Sequence, residues 1–118
     1  GGSRYLAEGN VVITQPGVIL RAQRMELTID PESNEIELLV ARGRVRYATV
    51  EGDAVAGEYA RYSASNDLLV VRTNVVILQE GQVATGDQLV YNTVTGAAEM
   101  TGGEGGRVRG LIPGKQGG

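Results

Sequence analysis

Apolar and polar residues alternate along most of this chain. Met25, Leu27 and Ile29 are separated by Glu26 and Thr28; Ile36, Leu38 and Val40 by Glu37 and Leu39; Val45 and Tyr47 are flanked by Arg44, Arg46 and Ala48. A period of two puts each set on one face of a strand, and the 3.6-residue recurrence of an amphipathic helix is hard to find. Turn chemistry interrupts the alternation at Gln15-Pro16-Gly17, Asp30 to Asn34, Glu51-Gly52-Asp53, Ser63 to Asp67, Glu80-Gly81 and Thr93 to Gly96. The pattern predicts about ten to twelve short antiparallel strands in a sandwich, jelly roll or barrel. Some runs are continuously apolar: Val11-Val12-Ile13, Leu38-Leu39-Val40, Leu68 to Val71 and Val75 to Leu78. Such runs imply strands partly covered on both faces, or an edge that meets another chain.

The chain also repeats itself. Gly9-Asn10-Val11-Val12-Ile13 and Gly43-Arg44-Val45-Arg46-Tyr47 match Asn74 to Leu78, and Ala22 to Leu27 and Gly57 to Tyr62 match Gly86 to Tyr91. With Val11, Val45 and Val75 as equivalent points the spacings are 34 and 30 residues. A period of that size marks a supersecondary unit that cannot bury its apolar face alone, so three copies stack.

Composition narrows the chemistry. At 118 residues there is one domain with a modest core, and with five Tyr and neither Phe nor Trp its interior is aliphatic. The absence of Cys and His removes thiol nucleophiles, imidazole bases and the usual zinc ligands. No cofactor is expected. Asp53, Glu58, Asp67 and Asp87 all lie in or beside turns, where capping explains them, and their spacing does not argue for a paired-carboxylate glycosidase. The Gly102 to Gly106 stretch lacks the Lys and following helix of a phosphate loop. A net charge of −3 argues against nucleic acid as a partner. No apolar run approaches the ~20 residues that cross a bilayer as a helix. Residues 1–3 read as a linker, 4–113 as the domain, with Arg107 to Ile112 as its last strand, and 114–118 as a flexible tail.

Ala7 to Gln15 with Leu20 to Arg24, Gly57 to Tyr62 with Leu69 to Val75, Gly86 to Tyr91 and the closing Gly106 to Pro113 resemble, in that order, the LptA/OstA family of periplasmic lipopolysaccharide-transport proteins. The resemblance covers nearly all of Tyr5 to Pro113. It implies an open, V-shaped β-jelly roll, non-catalytic, whose apolar interior carries the acyl chains of lipid A. It also implies modules that self-associate edge to edge into a bridge across the periplasm, with LptC and LptD jelly-roll domains at its ends. Against the family pattern, a strand before the first Gly-Asn-Val is expected to be missing, and Gln23 and Glu58 stand where Asp is commoner.

Equivalent positions of the repeats give the inward, lipid-binding candidates: Val11, Ile13, Met25, Leu27, Ile29, Leu38, Val45, Tyr47, Tyr62, Leu68, Val70, Val75, Ile77, Leu89 and Tyr91, with Ile36 on a returning strand. Ala60, Ala64 and Ala97 are expected to leave the interior underfilled, and Tyr47, Tyr62 and Tyr91 to form amphipathic walls near its mouth. Arg42, Arg44 and Arg46 alternate on one strand face and are candidates for lipid phosphates or sugar carboxylates, but a solvated outer face is the plainer reading, as it is for Arg107 and Arg109. Two alternatives stand beside the carrier: a structural β-repeat with a closed core that polymerises through its edges, and a carbohydrate-binding sandwich. The second is disfavoured because five scattered Tyr make no aromatic platform.

Overall fold

The alternation folds into seven antiparallel strands, seen in a computed structural model that describes residues 3–102. They are β1 (Ser3–Gln15), β2 (Val18–Ile29), β3 (Ile36–Thr49), β4 (Ala54–Ser63), β5 (Leu68–Gln79), β6 (Gln82–Asn92) and the short β7 (Ala98–Thr101). Each pairs with its sequence neighbours in the order β1-β2-β3-β4-β5-β6-β7, a single meander that does not close. The strands are fewer and longer than the expected ten to twelve. Breaks that look like strand ends in the sequence are bulges within continuous strands.

Three of these bulges fall at equivalent points of the repeat. Gly9-Asn10 of β1, Gly43-Arg44 of β3 and Thr73-Asn74 of β5 all have positive φ, and register shifts there against each neighbouring strand. Each sets two residues against one, Gln23, Glu58 or Asp87, on the even strand beside it. An extra residue bends a strand and sharpens its twist. Aligned across adjacent strands, the bulges form one bend line that divides the sheet into two halves. Gly43, at φ +85°, shows why the position favours glycine: a Cβ there would be strained and would run into the Gln23 side chain.

Turns form where the sequence places them. Asp30 accepts from the Glu32 amide at 2.8 Å through Oδ1 and from the Asn34 amide at 2.7 Å through its carbonyl, and Asn92 Oδ1 caps the Val94 and Thr95 amides at 2.9 Å each. Ser3, expected in a linker, is instead the first residue of β1 and pairs with Ile29, so Ser3 to Glu8 supply strand ahead of the first Gly-Asn-Val. The expected strand at Arg107 to Ile112 and the tail lie outside the described residues.

The inward faces of the two halves meet. One contributes Leu20, Tyr47, Val55 and Ile77; the other contributes Met25, Leu39, Leu69, Leu89 and Met100. Tyr47 and Tyr91, one from each half, touch edge to face with centroids 5.6 Å apart. Met25, Leu89, Met100, Ala41, Ala60 and Val71 have no exposed surface, so that part of the interior is filled. Of the three small residues expected to hollow it, only Ala60 is inside; Ala64 and Ala97 sit in turns.

Candidate functional site

Away from this filled part the halves stand apart. An apolar cleft of about 200 Å³ runs between Ile13, Val18, Leu20 and Tyr47 of one half and Ile36, Leu39, Tyr62 and Leu69 of the other, with Gln15 and Thr93 also in its lining. Register fixes these directions, since directly paired residues share a face. Ile13 opposes Leu20, and Leu20 opposes Tyr47. Beyond the bend line Leu27, Leu39, Tyr62, Leu69 and Tyr91 form a second inward row.

Tyr47 connects the cleft, through its edge contact with Tyr91, to a buried polar cluster. Asp53 Oδ2 accepts from the Tyr91 hydroxyl at 2.8 Å and from Gln79 Nε2 at 3.2 Å, and Gln79 Nε2 also donates to the Gly96 carbonyl at 2.9 Å. Asp53 and Gln79 are the buried polar residues among those described, and no buried side-chain polar atom there lacks a partner. The turns after β3 and β6 are thereby tied to the end of β5. Burial, then the Asp53 charge, then Tyr62 push the Tyr47 hydroxyl up to about 12. Burial and the hydrogen bond to Asp53 push that of Tyr91 up further. The carboxylate of Asp53 does not cap its turn as expected: there it is the Asp53 amide that donates, to Thr49 Oγ1 at 3.2 Å, while the carboxylate turns to Tyr91 and Gln79.

The candidate residues therefore divide. Ile13, Tyr47 and Tyr62 line the cleft. Met25, Val45, Val75, Ile77, Leu89 and Tyr91 are buried in the core, with Val11 and Leu27 half-buried against it. Ile29 is half-buried at the end of β2, opposite Ser3 and Ile36. Leu38, Leu68 and Val70 are corrected: they lie on the outer face, because Leu38 pairs with Thr28 and Ser63, Leu68 with Ser63 and Asn92, and Val70 with Arg61. Their neighbours Leu39 and Leu69 face inward in their place, and Val18 and Leu20 also went unpredicted. In continuous apolar runs alternation gives no phase. The phase was available from the turn, since a loop at 64–67 sets Ser63 against Leu68 and hence Tyr62 against Leu69.

Carboxylates do not converge in the cleft, and among the described residues there is no group of three side chains suited to a metal ion. No helix in the described residues is long and apolar enough to cross a membrane. An unclosed antiparallel sheet, bent on itself over an apolar interior, makes the molecule an open β-jelly roll. The family model described as LptA/(LptD N-terminal domain) LPS transport protein matches residues 2–97, and the chain belongs to that family. Its members are non-enzymatic components of lipopolysaccharide transport. Among solved structures, LptH from Pseudomonas aeruginosa, the LptA-homologous periplasmic component of the lipopolysaccharide transport device, shares the fold with a TM-score of 0.74. The two are 21% identical, over 93% of this chain and 79% of that one. Comparison with curated proteins finds no match.

Proposed function

We propose that this chain is a periplasmic carrier module that holds lipid A acyl chains of lipopolysaccharide in the cleft and passes them along a stack of like modules. The observation that carries this reading is the apolar space between two halves of one unclosed sheet. Its lining is aliphatic apart from Tyr47 and Tyr62 and the two polar residues Gln15 and Thr93. Burying acyl chain releases about 0.8 kcal/mol per methylene, so a few methylenes suffice for useful binding. The cleft, at about 200 Å³, is smaller than the roughly 300–1,000 Å³ of sites that enclose a whole small ligand. It therefore grips part of a chain, and neighbouring modules continue the path at nearly equal energy.

Stacking is supported by the edges. Among the described residues β1 bonds only β2, leaving a strand of 13 residues with one side unpaired there and with Tyr5 and Leu6 more than half exposed. At the other end β7 covers only Gln88 to Tyr91 of β6 among the described residues. A long exposed edge is a template for another strand. Copies of this chain, and the jelly-roll domains of LptC and LptD, are the partners this geometry suits.

Photo-crosslinkers at Leu39 and Tyr62, which face the cleft, and at Leu38 and Arg61, which face outward, test the carrier directly. Labelling of lipopolysaccharide from the first pair alone is expected. Equal labelling from both pairs rejects the cleft and leaves the closed structural repeat, which the filled core around Met25, Leu89 and Met100 would suit. Mass against concentration, growing in steps of one module, tests the stacking; a strict monomer rejects it.

A further inference from the structure

On the outer face, beside the bend line, Arg21 of β2 lies directly opposite Arg46 of β3. With Arg44, Asn10 and Gln23 they wall an outward groove of about 280 Å³, and all three arginines are exposed. Directly opposed residues have Cβ atoms ~4.5–5.5 Å apart, where like charges destabilise the pair. Among the described residues no carboxylate forms an ion pair with Arg21, Arg44 or Arg46: Glu8 and Glu26 are engaged by Arg24 and Arg4, and Glu58 accepts from the Arg44 amide at 3.4 Å. Arg46 donates to the neutral Val45 carbonyl at 2.8 Å. Across the bend Arg42 and Arg72 stack on the two sides of the Tyr59 ring, 5.0 and 5.6 Å from its centroid, and add to the same positive field. Thus a protein of net charge −3 concentrates unneutralised guanidinium groups at one place.

The place matters. The outer row Val12, Arg21, Arg46 is adjacent in sequence to the inner row Ile13, Leu20, Tyr47 that lines the cleft. β1 is the edge strand, and strands lie ~4.8 Å apart, so Arg21 is one strand and Arg46 two strands in from the rim. An amphiphile draped over β1 reaches Ile13 and Leu20 with its tail and both arginines with its head. Guanidinium forks match phosphate oxygens and keep their charge at any physiological pH. We propose that the groove around Arg21, Arg44 and Arg46 binds the phosphate groups of the amphiphile whose tail occupies the cleft. The tail half rests on the carrier reading; the anion half stands on the arginines alone.

The test uses the full chain with three ligands: lipid A in detergent micelles, the same lipid with both phosphates removed, and inorganic pyrophosphate. Binding at equilibrium is compared for the parent, Arg21→Gln/Arg46→Gln and Arg61→Gln, an outer-face control on the other half of the sheet. The parent is expected to prefer the phosphorylated lipid by about tenfold at low salt, with the preference shrinking as salt rises. The double variant, whose melting temperature rises because repulsion is removed, loses the preference while binding the dephosphorylated lipid as the parent does. Arg61→Gln retains it. Where the phosphorylated lipid binds, a preference that survives in the double variant overturns the proposal, as does pyrophosphate binding as tightly as that lipid, which would mark a free-phosphate site. Failure of both lipids to bind rejects the carrier. The anion half is then decided by whether pyrophosphate shifts the Arg21 and Arg46 Nε resonances.

Discussion

Asp53 is the acidic side chain that folding withdraws from water among the described residues, and Tyr91 and Gln79 are what make that tolerable. Replacing Tyr91 by Phe keeps the ring and its contact with Tyr47 but removes a hydrogen bond to a buried carboxylate. A loss of about 1.5–3 kcal/mol is expected in denaturant unfolding. Alkaline pH acts on the same cluster. Tyr47 and Tyr91 have folded-state values above the ordinary 10, so folding favours their neutral forms. That stabilisation is complete below pH 10, where an unfolded tyrosine is still protonated, and is lost as pH rises through about 12 for Tyr47 and higher for Tyr91. Unfolding midpoints measured across that window are expected to fall steeply in the parent and less in Tyr47→Phe and Tyr91→Phe.

Among the elements, the bulges decide the architecture, and the third is built from the least suitable residue. Thr73 holds φ 71° where the other repeats place Gly9 and Gly43. A β-branched residue in the left-handed region carries a penalty of roughly 1–2 kcal/mol, partly offset in glycine by its greater entropy when unfolded. Thr73→Gly is therefore expected to stabilise by about 0.5–1 kcal/mol, and Gly43→Ala to destabilise by at least as much, both read from thermal or denaturant unfolding. The repeat was legible because Gly-Asn-Val, Gly-Arg-Val and Asn-Val recur at nearly constant spacing, and the turns were legible from Asp, Asn and Gly. Strand length was not, because Gly43 and Gly57 read equally as strand ends or, as the structure has them, as a bulge and a mid-strand position where a Cβ would run into the Val71 side chain. Nor was the phase of Leu38-Leu39 or Leu68-Leu69, where both faces take apolar side chains. The Asp53 cluster joins residues 26 and 38 apart in sequence, which no local pattern reveals.

At the scale of the molecule, filled core and open cleft share one interior, so the two can be perturbed separately. Ile13 is half-buried on the edge strand and lines the cleft, so Ile13→Trp fills the space at a cost of about 1–3 kcal/mol in overpacking. It is expected to abolish uptake of a fluorescent apolar probe while the unfolding transition remains cooperative. Uptake equal to the parent's would place the probe elsewhere. The neighbour-to-neighbour strand order has a kinetic consequence as well. Among the described residues every ladder joins consecutive strands, through connections as short as Pro16-Gly17 and Glu80-Gly81, so no hairpin there must wait for a remote partner before it forms. Sequence separation between contacting residues stays small, and refolding rates fall as that separation grows. Stopped-flow refolding is thus expected to place this chain among the faster all-β proteins, ready to mature before its exposed edge can capture an unfinished copy.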